Sequence, residues 1–225
     1  MEIDTTVVLI SWSPSKYRMK LLTKSFALIK QTKRPHILVV VDNGPKEQTD
    51  WLVTQDIDIH VQNTVNIGVG AARNQGAKQT KTEFIAFVDS DVCVFPEWLD
   101  VCIDCLKKYP DEKYIAAPAK SVPMRYDKYK HGENDGFELW RRCAGFCLVM
   151  RRKDFEILGG FSTCSTPGHQ LCAVMNEKGY LFIHHPSWNA KHLGRYASYD
   201  WRNKLVNGVW VPDPKNEKLF RRANE

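Results

Sequence analysis

Two carboxylates separated by one serine, Asp89-Ser90-Asp91, close an apolar run that begins at Phe84. Acids two residues apart can hold one hard divalent cation, Mg²⁺ or Mn²⁺, between protein and a phosphate-bearing ligand. Burying such a pair in a core would be costly, so it must sit where the chain opens to solvent. Five apolar residues in succession, Phe84-Ile85-Ala86-Phe87-Val88, read as a strand buried on both faces, and the acids then mark its carboxyl end. In an open α/β sheet that edge is where ligands bind. A solvated turn that happens to carry two acids is the plain alternative, and the position directly after a buried strand tilts the reading toward function.

A third acid repeats the pattern. Residues 37–41 are a second buried run, and they end in Asp42-Asn43-Gly44-Pro45. Asp, Asn and Gly are ordinary turn formers, but at the same rim as the acidic pair Asp42 becomes a candidate for hydrogen bonding a ligand's base. Asn66-Ile67-Gly68-Val69-Gly70-Ala71-Ala72-Arg73-Asn74-Gln75-Gly76 then opens a helix running to about Gln79. This is not the dinucleotide fingerprint, which needs a third glycine where the chain has Arg73, and no Gly-Lys-Ser/Thr phosphate loop occurs. Its small residues let backbone approach closely, and Arg73 can bond a base carbonyl or a phosphate. An ion pair on the helix surface is the alternative for Arg73.

The elements that position these residues follow in order. Strands are expected at 5–10, 37–41, 57–61, 84–88, 114–117, 145–150 and 180–183. The first helix should take Ser13 as N-cap and Pro14 as its first residue and run to 31. Further helices are expected at 96–106, 151–158 and 171–178. Residues 118–135 are polar, basic and aromatic with little periodicity and read as a mobile flap. Cys102 and Cys105 fall on one helix without a second pair at matching spacing, so structural thiols are expected rather than zinc.

With 225 residues and 43% hydrophobic content the chain can bury a proper core as one domain or two closely fused halves. No apolar run approaches the roughly 20 residues of a membrane helix, and the start Met1-Glu2-Ile3-Asp4 lacks the character of a signal peptide. Seven cysteines are an odd number without framework spacing, which fits reduced thiols in a cytoplasm, the host's if the protein is viral. Charge divides the chain. Residues 1–112 carry 13 Lys and Arg against 15 Asp and Glu, whereas residues 113–225 carry 19 against 11. The basic half is expected to face something anionic, unless it is merely a soluble basic surface.

Taken in order, these motifs resemble the GT-A nucleotide-sugar glycosyltransferases of the family 2-like group. The residues that carry the resemblance are Val39-Val40-Val41-Asp42-Asn43-Gly44, the 66–76 segment, Phe87-Val88-Asp89-Ser90-Asp91, and Arg151-Arg152 through Gly159-Gly160-Phe161. The resemblance implies a Rossmann-like α/β fold: a mixed, mostly parallel sheet flanked by helices in a single fused domain. Residues 1–112 would form the nucleotide-sugar-binding half and 113–225 the acceptor-binding half. It implies a nucleotide-sugar donor, with a UDP-sugar the expectation, and Mn²⁺ or Mg²⁺ as cofactor. Ser11, Asp42, Asn43, Arg73, Asp89 and Ser90 would line the donor pocket, with Asp42 on the nucleobase and Asp89 at the ribose. Asp89 and Asp91 would be the acidic pair at the metal, Asp91 coordinating it, and His192 would complete the shell, with His184 and His185 as competitors.

The chain departs from the family at the general base. Where an acidic motif is expected, it has Thr166-Pro167-Gly168-His169-Gln170. His169 could serve, or Asp135 or Glu138 could reach in, or transfer could proceed with retention and need no base. Tyr126, Tyr129, Trp140, Trp188, Tyr196, Tyr199, Trp201 and Trp210 lie among the cations of the second half, a mixture that suits sugars or nucleic acid. The acceptor is therefore read as a hydroxyl on a modified DNA base, with a glycan or small saccharide as the competing acceptor and no membrane partner. A catalytically inactive GT-A-like nucleic-acid or partner-binding module is the reading from another class, and the intact acidic pair argues against it.

Overall fold

Alternate residues of the buried strands face different cores, and this places the sheet between two helical layers. In β1 (Thr5–Ser11) Val7 and Leu9 join one apolar cluster and Val8 and Ile10 the other. β2 (Ile37–Asp42) divides Leu38 and Val40 from Val39 and Val41; after β3 (Ile59–Gln62), β4 (Phe84–Asp89) divides Phe84, Ala86 and Val88 from Ile85 and Phe87. The first face is covered by α1 (Lys16–Ile29) through Leu22, Phe26 and Ile29. Leu99, Ile103 and Leu106 bring α3 (Trp98–Lys108) to the same face. The second face takes Ala72 and Ala77 of α2 (Val69–Ala77), Phe155 of α4 (Arg152–Ile157), and Leu171 and Met175 of α5 (Pro167–Glu177).

The computed structural model describes residues 3–13, 15–44, 50–120, 124, 126–163, 167–193, 204–206 and 209–211. Its strands continue with β5 (Val92–Cys93), β6 (Tyr114–Ala116), β7 (Lys130–Asn134), β8 (Phe137–Trp140), β9 (Cys147–Arg151), β10 (Leu181–His184), β11 (Lys191–His192), β12 (Lys204–Val206) and β13 (Val209–Val211). The main sheet runs β3-β2-β1-β4-β9-β6-β10-β8-β7. It is parallel from β3 to β4 and between β6 and β10, and antiparallel at the remaining pairings. β5 pairs with β11 apart from this sheet, as β12 does with β13. The mixed α/β architecture is the one expected, and no described helix is long and apolar enough to cross a membrane.

Three local expectations are corrected. Ser15, not Ser13, caps α1: its backbone is extended and its Oγ accepts the Arg18 amide at 3.3 Å, while Ser13 is buried. The last residues of the expected flap at 118–135, from Lys130 on, are instead β7 and the turn of the β7–β8 hairpin at the sheet's edge, a strand (Lys130-His131-Gly132-Glu133-Asn134) with no apolar residue to show its period. Its turn signal was present in Asp135-Gly136, both at positive φ (49° and 81°), the dipeptide that two-residue hairpin turns favour. Helix α5 begins at Pro167, four residues before the expected start, so His169 lies in its first turn. Cys102 and Cys105 are buried on the apolar face of α3 with Leu99, Ile103 and Leu106, and burial pushes the Cys105 thiol up to about 12.

Two polar clamps hold the helices in register with the sheet. Asn74 of α2 donates to the Phe161 carbonyl at 2.7 Å and accepts the Phe161 amide at 2.8 Å. Arg152 donates to the Thr82 carbonyl (2.8 Å), the Ala77 carbonyl (3.0 Å) and Thr80 Oγ1 (3.2 Å), tying α4 to the α2–β4 connection. At the start of β1, Asp4 accepts from Arg34 at 2.6 Å and from Lys107 at 3.3 Å. Burial works against the Asp4 charge, but these cations outweigh it and lower its pKa from 3.8 to about 2. A depressed carboxylate contributes stability above its unfolded pKa and loses it as pH falls through the folded value. Asp4→Asn is therefore expected to flatten the fall of the urea midpoint between pH 4 and 2, and a slope equal to that of the wild type would contradict the pairing.

Candidate active site

Ser11, Asp42 and Asp89 end three adjacent parallel strands at nearly one level, because Ser11 stands opposite Asp42 and Ile10 opposite Asp89. Ser11 and Asp42 are fully buried. Asp42 Oδ1 accepts the Gly44 amide at 3.2 Å, a turn bond, while Oδ2 has no partner. Ser11 Oγ, Ser13 Oγ and Arg73 Nε are in the same condition, and with Asp42 they make up four of the six such buried atoms among the described residues. Leaving one buried polar atom unmet costs about 1–3 kcal/mol, and a polar ligand bound at this sheet edge would be able to meet several of them at once.

Asn43 has a different task. Its Nδ2 donates to Asn66 Oδ1 at 2.8 Å, and its Oδ1 accepts the Ile67 amide at 3.0 Å and Asn63 Nδ2 at 3.2 Å. Its backbone amide bonds the Ser11 carbonyl at 2.7 Å. The side chain thus fixes the glycine-containing segment, and with it the start of α2, against the ends of β1 and β2. From α2, Arg73 reaches Asp89: Nη2 to Oδ1 is 2.6 Å, and the guanidinium lies 4.8 Å from the Phe161 ring centre. Arg73 is buried rather than on the helix surface, and its ion pair is with the half-buried Asp89 at the end of β4. Desolvation pushes the Asp89 carboxyl above its usual range, against the pull of Arg73.

Asp91 is buried beyond the end of β4, next to the buried Ser90, and both its oxygens are engaged. Oδ1 is 3.1 Å from His192 Nε2 and Oδ2 is 3.2 Å from Arg18 Nη1. Burial opposes its charge, but His192 and Arg18 outweigh burial and hold the carboxyl below the usual range. His192 arrives from a hundred residues away because β11 pairs with β5, putting it opposite Val92, while the Leu193 amide bonds the Asp91 carbonyl at 2.7 Å. The imidazole stacks on Phe146 at 4.6 Å, and the Phe146 carbonyl accepts the Asp89 amide at 2.9 Å. The competing histidines lie elsewhere: His184 Nδ1 meets the Ala117 carbonyl and His185 Nδ1 meets Ser187.

The three candidate bases are not brought together. Asp135 sits exposed in the hairpin turn, bonded to Tyr109 at 2.9 Å and Lys108 at 3.0 Å. Glu138 on β8 pairs with Lys120 and accepts from Trp140 Nε1. His169 is exposed on the first turn of α5, next to Gly168. A Cβ placed on Gly145 would stand 3.9 Å from Gly168 Cα and 3.5 Å from Arg73 Nη1, so that turn borders the acidic site. Two of the aromatics expected on an acceptor surface are core residues: Trp140 and Trp188 are buried, because their strand and turn positions point inward. Tyr196, Tyr199 and Trp201 fall outside the described residues, as does the side chain of Trp210.

No group of three or more His, Cys, Asp or Glu side chains among the described residues could hold a metal by itself. One carboxylate and one imidazole do suit a divalent ion whose remaining positions are filled by phosphate oxygens and water. Asp91 and His192, already within 3.1 Å of each other, are such a donor set. Arg18, wholly missed in the sequence, enters this shell from α1; no spacing rule links residue 18 to residue 91.

The chain has likenesses to known proteins in sequence and in fold. Residues 14–166 match the family model described as glycosyl transferase family 2. The chain is 28% identical over 181 residues to a glucosyl-dolichyl phosphate glucuronosyltransferase of Haloferax volcanii, covering 72% of this chain and 56% of that protein. It thus spans little more than half the length of that relative. A mannosyltransferase of Pyrobaculum calidifontis, solved with GDP-Man and Mn²⁺, superposes with a TM-score of 0.68 at 18% identity, over 98% of this chain and 68% of the other. GalNAc-T7, solved with UDP, GalNAc and Mn²⁺, gives 0.64 at 16% identity over 99% of this chain and 48% of the other. The family model runs from just before α1 to the threshold of α5 and takes in the ends of β2 and β4 with the segment between them, and the chain belongs to glycosyl transferase family 2.

Proposed function

We propose that this protein is a metal-dependent glycosyltransferase that moves a sugar from a nucleoside diphosphate sugar to an acceptor hydroxyl. The observation that carries this is the set of unmet buried polar atoms at the carboxyl ends of β1 and β2 and on Arg73 of α2, at the same sheet edge where β4 ends two residues before Asp91. Asp42 Oδ2 would accept from the nucleobase, with a uracil N–H the fitting donor, and Ser11 Oγ would bond the same ring. Arg73 and Asp89 would neutralise each other until the ribose and diphosphate divide their hydrogen bonds. Asp91 and His192 would hold Mn²⁺ or Mg²⁺, which supplies positive charge as negative charge builds on the departing diphosphate. His169, on the turn bordering Arg73, is the best placed of the candidate bases to take the acceptor's proton.

The two halves would divide these tasks, residues 1–112 holding the donor and 113–225 the acceptor. In the second half Lys128 stands 5.0 Å from the Tyr129 ring and 5.9 Å from that of Tyr126, and Arg142 lies 4.9 Å from Tyr129. Tyr126 is 54% exposed. This ridge of cations on aromatic faces supports a polyanionic acceptor, a modified DNA base included. The Haloferax relative, named for a sugar carried on dolichyl phosphate, favours a saccharide acceptor. Binding to DNA that weakens steeply with salt would select the first, and salt-insensitive transfer to oligosaccharides the second.

A panel of UDP- and GDP-sugars tests the donor reading. Release of nucleoside diphosphate that requires added Mn²⁺ is expected for at least one donor. Asp42→Ala should raise the KM for that donor about tenfold to a hundredfold with kcat less affected, the mark of lost ground-state binding. A wild-type protein that neither binds nor hydrolyses any member of the panel would overturn the proposal.

A further inference from the structure

Arg18 places a cation on the carboxylate to which the metal is assigned. We propose that Arg18 competes for Asp91 and thereby couples metal occupancy to nucleotide arrival, so that Mn²⁺ binds weakly to the free protein and tightly once a nucleoside diphosphate is present. This rests on the metal site proposed above.

The geometry divides Asp91 between two unlike partners. His192 on Oδ1 has a ring nitrogen able to ligate a metal, whereas the guanidinium on Oδ2 has no lone pair to offer and can only repel one. The side chains of Arg18 and Asp91 are 9% and 6% exposed, so solvent and salt screen this contact poorly. Arg18 is also not a wandering surface residue. Its amide donates to the Ser15 cap, which fixes it in the first turn of α1, and its guanidinium lies 5.5 Å from the Trp12 ring centre. A divalent ion at Asp91 must displace the guanidinium or sit beside it, and like charges a few ångströms apart repel strongly at low dielectric. A diphosphate brings negative charge for both cations at once. By linkage, whatever factor the nucleotide adds to metal affinity the metal returns to nucleotide affinity.

Titration of free Mn²⁺ by electron paramagnetic resonance, on wild-type protein, Arg18→Gln and Arg18→Lys, with and without UDP and separately GDP, decides the matter. Arg18→Gln is expected to bind Mn²⁺ alone about tenfold more tightly than wild type, within the range usual for coupled sites, and the enhancement by nucleotide should shrink by a similar factor. Arg18→Lys keeps the charge and should keep most of the coupling. Should Arg18→Gln fail to fold without metal, native circular dichroism regained on adding Mn²⁺ supports the inference, and no recovery with Mn²⁺ and nucleotide overturns it. Unchanged Mn²⁺ affinity in Arg18→Gln, with nucleotide-enhanced binding still seen in wild type, overturns the role of Arg18 and leaves the metal site standing. Mn²⁺ that binds none of the proteins under any condition overturns both.

Discussion

Asp91→Asn is expected to lower sugar transfer by about 10²–10³ or more, the scale on which a residue that stabilises transition-state charge is usually felt. The amide keeps the size of the carboxylate and can still accept from Arg18, so the fold should survive. What it loses is the negative charge proposed to draw a divalent ion to a site where Arg18 already stands. Turnover measured across Mn²⁺ concentrations, with a melting curve alongside, separates a lost metal from a lost fold. A variant that melts normally and retains more than about a tenth of wild-type turnover would contradict the role given to Asp91.

The largest effect on stability is expected at Gly76. A Cβ there would lie inside the volume of the Val8 side chain and 3.0 Å from Val41 Cγ2. Both valines are fully buried in the strands that end at Ser11 and Asp42. Helix α2 can therefore lie on β1 and β2 only because residue 76 has no side chain. Gly76→Leu is expected to cost about 3 kcal/mol, the upper end for overpacking. In a chain of this size that lowers the melting temperature by roughly 6–12 °C. Gly132→Ala, which meets nothing within 4 Å, is the control and should melt as the wild type does. Because α2 also carries Arg73 and Asn74, any Gly76→Leu protein that folds should bind donor poorly as well.

Much of the sheet edge that carries the acids was legible in the sequence because it is built from local signals. Runs such as Val39-Val40-Val41 and Ile85-Ala86-Phe87 can be satisfied only by burial on both faces, so the acids that follow them had to stand at an edge. Asp42 and Asp89 are each placed by the strand they terminate, and Asp91 lies two residues beyond the end of β4. Contacts made by pairing distant segments were not legible from spacing. The tie between Asp91 and Arg18 depends on how α1 packs, a fact no local pattern records. The β7–β8 hairpin escaped because its edge strand β7 exposes His131 and Glu133 and carries no apolar residue between them, leaving the Asp-Gly turn as its trace. Trp140 and Trp188 misled for the opposite reason: aromatic rings among cations suggest a sticky surface, yet one sits on the inner face of a strand and the other packs against Phe137 and His184.

The short β5–β11 pairing bears on how the protein is made. His192 and the Leu193 amide, which close around Asp91, are donated by a segment translated a hundred residues after the acids it completes. A nascent chain halted before residue 190 already contains β1, β2, β4 and every group assigned above to the nucleotide, yet Asp91 would keep Arg18 without His192. Such an unfinished polypeptide could bind a nucleotide sugar on the ribosome without being able to cleave it.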